Sequence, residues 1–85
     1  MIKKLITIQI ANGLEARPVA LLVQVASQYV SEIHVEVGDK RVNAKSIMGM
    51  MTLGLESGET INVVSSGIDE EEAIADIEKY LSAAS

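Results

Sequence analysis

Near the start of the chain, Ile6, Ile8 and Ile10 fall on alternate positions with Thr7 and Gln9 between them, the period of a strand with one buried face. A first strand is therefore predicted over 2–10. Asn12-Gly13 is a turn signal, and Pro18 stands where a helix begins, because the N–H it lacks would have no partner in a first helical turn. That helix should run to about Gln28. Its apolar residues Val19, Leu21, Leu22, Val23, Val25 and Ala26 nearly encircle the axis, more than one buried face requires, so some of them should stay at the surface.

Ile33, Val35 and Val37 then alternate with Glu32, His34 and Glu36, Gly38-Asp39 supplies a tight turn, and Arg41-Val42-Asn43-Ala44 returns as a partner strand. Ser46 to Leu53 reads as a short helix ended by Gly54. After the turn Glu56-Ser57-Gly58-Glu59, the run Thr60-Ile61-Asn62-Val63-Val64 reads as a fourth strand. Asp69-x-x-Glu72 has the spacing of a capping box and opens a last helix, where Ile74, Ile77 and Leu81 recur on one face. The predicted order is βαββαβα, with no repeats or linkers. A sheet with one apolar face wants helices laid over that face, so the expected fold is an α/β two-layer, open-faced sandwich, one domain over residues 1–85.

Composition narrows what fills that sandwich. Apolar residues make up 48% of the 85, but Phe and Trp are absent and Tyr occurs twice, so the core must be aliphatic. A chain of this mass should bury roughly 63% of its unfolded surface, enough for a modest core. Seven Lys+Arg against twelve Asp+Glu, net −5, argues against a binder of nucleic-acid backbones, which needs a basic footprint. With no Cys, disulfides, thiolate zinc sites and cysteine nucleophiles are excluded, and a cytoplasmic location is expected. No signal-peptide core and no 18-residue apolar span is seen, so no membrane insertion is expected.

Few residues suggest catalysis. His34, between Glu32 and Glu36, could be an acid-base or metal group, or part of a solvated sheet face. Asp69-Glu70-Glu71-Glu72 could hold a cation, but carboxylates in a first helical turn are stabilised by the helix dipole without any ligand. No phosphate-binding glycine loop occurs. Around Glu15-Ala16-Arg17-Pro18 a turn delivers the chain to a helix N-terminus beside an arginine, a setting for an anion, or for Glu15 itself as a first-turn carboxylate. Ser46 is placed to cap the short helix. On a wheel of about 100° per residue, Ile47, Met48 and Met51 share one arc while Met50 and Leu53 lie opposite. If Met50 and Leu53 face the sheet, the other three form an exposed, adaptable apolar patch beside Ser46. A phosphate on Ser46 would add about −1.5 to −2 charges at a helix start, where it need not melt the fold and could recruit arginines of a partner.

Asn12-Gly13-Leu14-x-Ala16-Arg17-Pro18 resembles the active-centre loop of HPr, the small phosphocarrier of the bacterial sugar phosphotransferase system. Asn43-Ala44-Lys45-Ser46-Ile47-Met48-Gly49 resembles the regulatory serine segment of HPr from Gram-positive bacteria, and the likeness in length and element order covers essentially the whole chain. The resemblance implies three helices over a four-stranded antiparallel sheet ordered 1-4-2-3. It implies that HPr kinase/phosphorylase phosphorylates Ser46 and that the product binds a CcpA-type repressor as a corepressor in carbon catabolite repression. Lys45, Ile47, Met48 and Met51 would then form the docking surface, with Glu15, Arg17 and Ala20 adjoining it. One position departs from the phosphocarrier pattern: Glu15 stands where the family carries its phosphate-accepting histidine, so relay should be lost. The implied protein is an adaptor and not an enzyme, without cofactor or metal, and a homodimer formed by exchange of the first strand is one state known in such relatives. A phosphocarrier paralogue with an altered centre at Glu15 is the alternative.

Overall fold

The computed structural model describes residues 1–9 and 16–82, residues 16 and 17 by their backbone alone. Seven elements follow in the order β1 (Ile2–Thr7), α1 (Ala16–Ser27), β2 (Glu32–Val37), β3 (Lys40–Asn43), α2 (Ile47–Met51), β4 (Thr60–Ser66) and α3 (Glu70–Leu81). The strands form one antiparallel sheet in the order β1-β4-β2-β3, and the three helices lie over one of its faces. This is the expected open-faced sandwich.

Alternation decides which face the helices cover. Ile6 of β1, Ile61 and Val63 of β4, and Ile33 and Val35 of β2 are all buried, and they meet Val19, Leu22 and Ala26 of α1 and Ala73, Ile74, Ile77 and Leu81 of α3 in one aliphatic core. Burying each large aliphatic side chain of this kind contributes about 1.5–3 kcal/mol. Of the six apolar residues around α1, only Val19, Leu22 and Ala26, spaced to share one face, are fully buried, and Leu21 is exposed. The opposite face of the sheet carries Lys3, Glu36, His34 and Arg41. There Lys3 pairs with Glu36 at 3.1 Å, and Arg41 reaches the same carboxylate at 3.7 Å.

Several boundaries differ from the sequence expectation. β1 stops at Thr7, opposite Thr60, because the next two N–H groups leave the ladder: Ile8 donates to the Glu59 carbonyl and Gln9 to that of Leu81. Ile8 is nonetheless buried, and Ile10 lies outside the described residues. Helix α1 begins at Ala16, so Pro18 stands inside the first turn, where its missing N–H still costs nothing. β4 continues through Ser65 and Ser66, since Ile2 and Ile33 flank Ser65 and Glu32 flanks Ser66. A central strand has ladder partners on both sides, and these hold polar residues in the sheet. The β2–β3 turn places Gly38 at φ +60 and no other residue of the turn at positive φ, the sign pattern of a type II′ hairpin, which favours glycine first.

The capping box at Asp69 does not form. Asp69 stands at the N-cap position of α3 but makes no side-chain bond to its own helix. Its carboxylate turns instead to the α1–β2 loop, accepting from the Val30 and Ser31 N–H groups at 3.0 Å each and from the Ser31 hydroxyl. Three donors outcompete the one that a capping box offers. Glu70, the first residue of α3, accepts instead from the Gly67 N–H of the preceding loop at 3.0 Å. Gly67, at φ +154, packs against the same loop so closely that a Cβ there would lie 2.5 Å from the Ser31 Oγ and 2.7 Å from its Cα. Two predictions follow from this junction. Gly67→Ala should destabilise the protein by at least about 2 kcal/mol in urea denaturation, because both the φ and the contact with backbone forbid a side chain. The Ser31 hydroxyl and the two N–H groups hold the Asp69 carboxyl below the usual carboxylate range. A carboxyl depressed in the folded state stabilises fully above its unfolded value and loses that contribution as pH falls through the folded one. Thermal melts should therefore show wild type above Asp69→Asn at pH 7, with the gap closing as pH falls below about 4.

Candidate functional site

The connection from β3 to α2 is built on local hydrogen bonds. Asn43 accepts the Lys45 N–H on its side-chain oxygen at 2.8 Å and the Ser46 N–H on its carbonyl at 3.0 Å, turning the chain within three residues. Ser46 then takes an extended conformation, φ −107 and ψ 111, and its Oγ accepts the Gly49 N–H at 3.2 Å. It is the N-cap that its position predicts. A Cβ on residue 49 would sit 3.4 Å from this Oγ, in ordinary van der Waals contact with it. The Lys45 ammonium donates to the Tyr29 carbonyl at 2.6 Å, anchoring the segment to the end of α1.

Helix α2 has five residues and splits as the wheel predicts. Met50 is 1% exposed and belongs to the core, whereas Ile47, Met48 and Met51 are 41%, 78% and 51% exposed. A half-buried hydroxyl thus stands at the edge of a solvent-facing patch of one isoleucine and two methionines. Ala20, on α1, is half-buried. Glu15 lies outside the described residues, as does the Arg17 side chain, although Arg17 is the second residue of α1.

The other candidates have ordinary settings. The Arg41 guanidinium lies 3.3 Å from the His34 Nδ1, and since a guanidinium only donates, that nitrogen is an acceptor. His34 therefore faces a cation, and among the described residues no group of three His, Asp or Glu side chains is placed to hold a metal ion. In the acidic run, Asp69 and Glu70 are consumed by backbone N–H groups, Glu70 also pairing with the terminal amine at 3.1 Å. The Gly67 N–H, followed by that amine, holds the Glu70 carboxyl below its ordinary value. Sequence reasoning missed the Lys45 anchor, because its partner, the Tyr29 carbonyl, lies 16 residues away in the chain.

Sequence and fold both relate the chain to known proteins. The sequence profile described as the PTS HPr component phosphorylation site matches residues 2–83. HPr-like protein Crh of Halalkalibacterium halodurans is 49% identical over 83 residues, covering 93% of this chain and 99% of that one. The crystal structure of HPr-C-His from Thermoanaerobacter tengcongensis superposes with a TM-score of 0.91 at 47% identity, over 95% of this chain and 91% of that one. That of Crh from Bacillus subtilis, an intertwined dimer with a swapped domain, gives 0.79 at 37% identity, over 99% and 97%. No helix among the described residues is long and apolar enough to cross a membrane. With its sheet order, its serine-capped α2 and a family match over nearly all its length, the chain belongs to the HPr family.

Proposed function

We propose that this chain is a single-domain regulatory HPr-like protein of carbon catabolite repression, acting in the cytoplasm. HPr kinase/phosphorylase phosphorylates Ser46, and the phosphoprotein serves as corepressor by binding a CcpA-type repressor. The observation that carries this reading is the exposure of Ile47, Met48 and Met51 beside the N-cap hydroxyl while Met50 anchors the same short helix in the core. A phosphate there meets a rigid platform: the Gly49 N–H already points at the Ser46 oxygen and remains available to an anion. Apolar anchors next to a charge suit a partner that reads both, with arginines for the phosphate and a pocket for Met48. Lys45, Arg17, Ala20 and Glu15 complete the proposed surface.

Glu15 supports the loss of phosphoryl relay. A carboxylate at the histidine position would have to form an acyl phosphate instead of a phosphoimidazole. The chain acts in this reading as an adaptor and catalyses nothing, with no cofactor. The similarity to HPr-C-His at 47% identity supports the alternative, a phosphocarrier paralogue altered at Glu15. β1 is an edge strand bonded to β4 alone, so its exchange between two copies, as the swapped Crh dimer suggests, is the expected route to a homodimer.

Two experiments test the reading. Intact-mass spectrometry after incubation with HPr kinase and ATP should show one phosphate, absent in Ser46→Ala, while incubation with enzyme I and phosphoenolpyruvate should add none. A phosphate from enzyme I that disappears in Glu15→Ala would establish the alternative. Ser46→Ala should remain folded, losing only the cap, about 1 kcal/mol. Met48→Asp should weaken repressor binding by the phosphoprotein at least tenfold, roughly the loss of one anchoring side chain, without changing the melting temperature. Equal affinity in calorimetric titration would remove Met48 from the interface.

A further inference from the structure

A second apolar surface lies outside the Ser46 segment, at the end of the sheet where β1 begins and β4 ends. Val30, in the α1–β2 loop, is 75% exposed, and Ile68, in the β4–α3 loop, is 93% exposed. Met1, whose amine pairs with Glu70, is 80% exposed at the same end. Isolated exposed apolar residues need no explanation, but these stand on two loops that the structure fastens together. Asp69 bonds the Val30 and Ser31 N–H groups and the Ser31 hydroxyl, and Gly67 is packed against Ser31 without space for a side chain. Fixing Val30 and Ile68 in advance removes the loop-ordering cost that an apolar contact on mobile loops would meet on binding.

Carboxylates outnumber cations around this patch. Glu32, paired in register with Ser66, and Glu71 and Glu72 in the first turn of α3 are exposed, beside the carboxylates of Asp69 and Glu70. The lysines of β1 are held elsewhere, Lys3 on Glu36 and Lys4 on Glu78, and the two cations beside the patch are already engaged, the Met1 amine by Glu70 and the Lys45 ammonium by the Tyr29 carbonyl. A second copy of a chain with net charge −5 would be repelled here, as would an anionic bilayer.

We infer that Val30 and Ile68, with Met1 beside them, form a second docking surface, which takes an apolar segment flanked by Lys or Arg from a partner protein. This site is independent of Ser46 and its phosphate. Leu, Ile or Met of the partner would rest on Val30 and Ile68 while its cations meet Glu32, Glu71 and Glu72. An adaptor with two separate surfaces can hold two proteins at once, or be occupied at one end whatever the state of Ser46.

The test uses unphosphorylated full-length protein and a labelled amphipathic helical peptide with a leucine face and lysine flanks as probe. Amide shifts in a nitrogen-15 spectrum should centre on Val30, Ile68 and Glu70, and affinity should fall as salt rises. Ile68→Ser and Val30→Ser should each weaken the peptide about tenfold with unchanged melting temperature, since both side chains are already in water. Shifts centred on Ile47, Met48 and Met51, an affinity unaltered in both variants, or equal binding of the same peptide with glutamate flanks would overturn the inference. So would binding to phosphatidylglycerol vesicles, or concentration-dependent self-association, that Ile68→Ser abolishes and the lysine peptide does not compete, because the occupant would then be a bilayer or a second copy. The outcome is separable from that at Ser46, whose own readouts are the mass of the kinase product and repressor binding.

Discussion

A sheet roofed by helices on one side only packs alternate residues of each strand into the core, and that constraint governs most of this structure, although Val64 of the central β4 is buried on the open face as well. The roofed face must supply its share of the core, and without Phe or Trp it does so with Ile and Val, to which the helices add Leu22, Ile74, Ile77 and Leu81. Each such residue is a sizeable part of a marginal total stability of about 5–15 kcal/mol. Inward positions therefore tolerate little chemistry. The open face is free to be polar, and Lys3, Glu36, Arg41 and His34 there form a surface network whose pairs are individually weak. In the proposed reading, function falls to places where neither demand applies, the short α2 and the loops at the end of the sheet.

The same constraint explains why α2 is suited to display a surface. A helix of five residues cannot be stable alone and must be held from outside. Met50 provides this from below, the Ser46 cap from one end, and Thr52 from the other, its hydroxyl bonding the Gly49 carbonyl at 2.6 Å. Once those contacts are made, the remaining side chains of the helix have no structural duty. The β4–α3 loop follows a similar logic with polar bonds in place of apolar ones. Asp69 joins two loops, and the side chains of its partner Val30 and its neighbour Ile68 are left in water.

Much of this was legible in the sequence because it depends on period and on local turn chemistry. Alternation at Ile33 and Val35 locates β2, Gly38-Asp39 its turn, and a wheel of about 100° per residue separates Met50 from Met48. What failed was decided by partners distant in the chain. Asp69-x-x-Glu72 has the spacing of a capping box, yet the donors that win the carboxylate lie 38 and 39 residues away, on Ser31 and Val30. β4 was extended by backbone pairing that Ser65 and Ser66 do not advertise, and Ile8 was correctly buried although its strand had already ended. On α1, six apolar residues could not be sorted, because which of them face inward depends on where α3 and the sheet lie. At the site, the capping role of Ser46 was legible from local rules, while the Lys45 anchor on Tyr29, a contact 16 residues away, was not.

In the proposed role, the two positions that distinguish this chain act in opposite senses. A histidine in the β1–α1 connection would make that loop a temporary store of phosphate, whose occupancy follows the flow of sugar. On the proposed reading, Glu15 takes the place of that exchangeable phosphate, and the segment would no longer report on transport. Ser46 does not depend on that exchange, since its hydroxyl is bonded within its own helix by the Gly49 N–H and its surroundings are set by Asn43 and Met50. Removing the relay therefore need not disturb the switch. A platform that changes only in charge, while its apolar anchors and backbone stay in place, presents a partner with one variable instead of two, and this favours regulation by recruitment over regulation by conformational change.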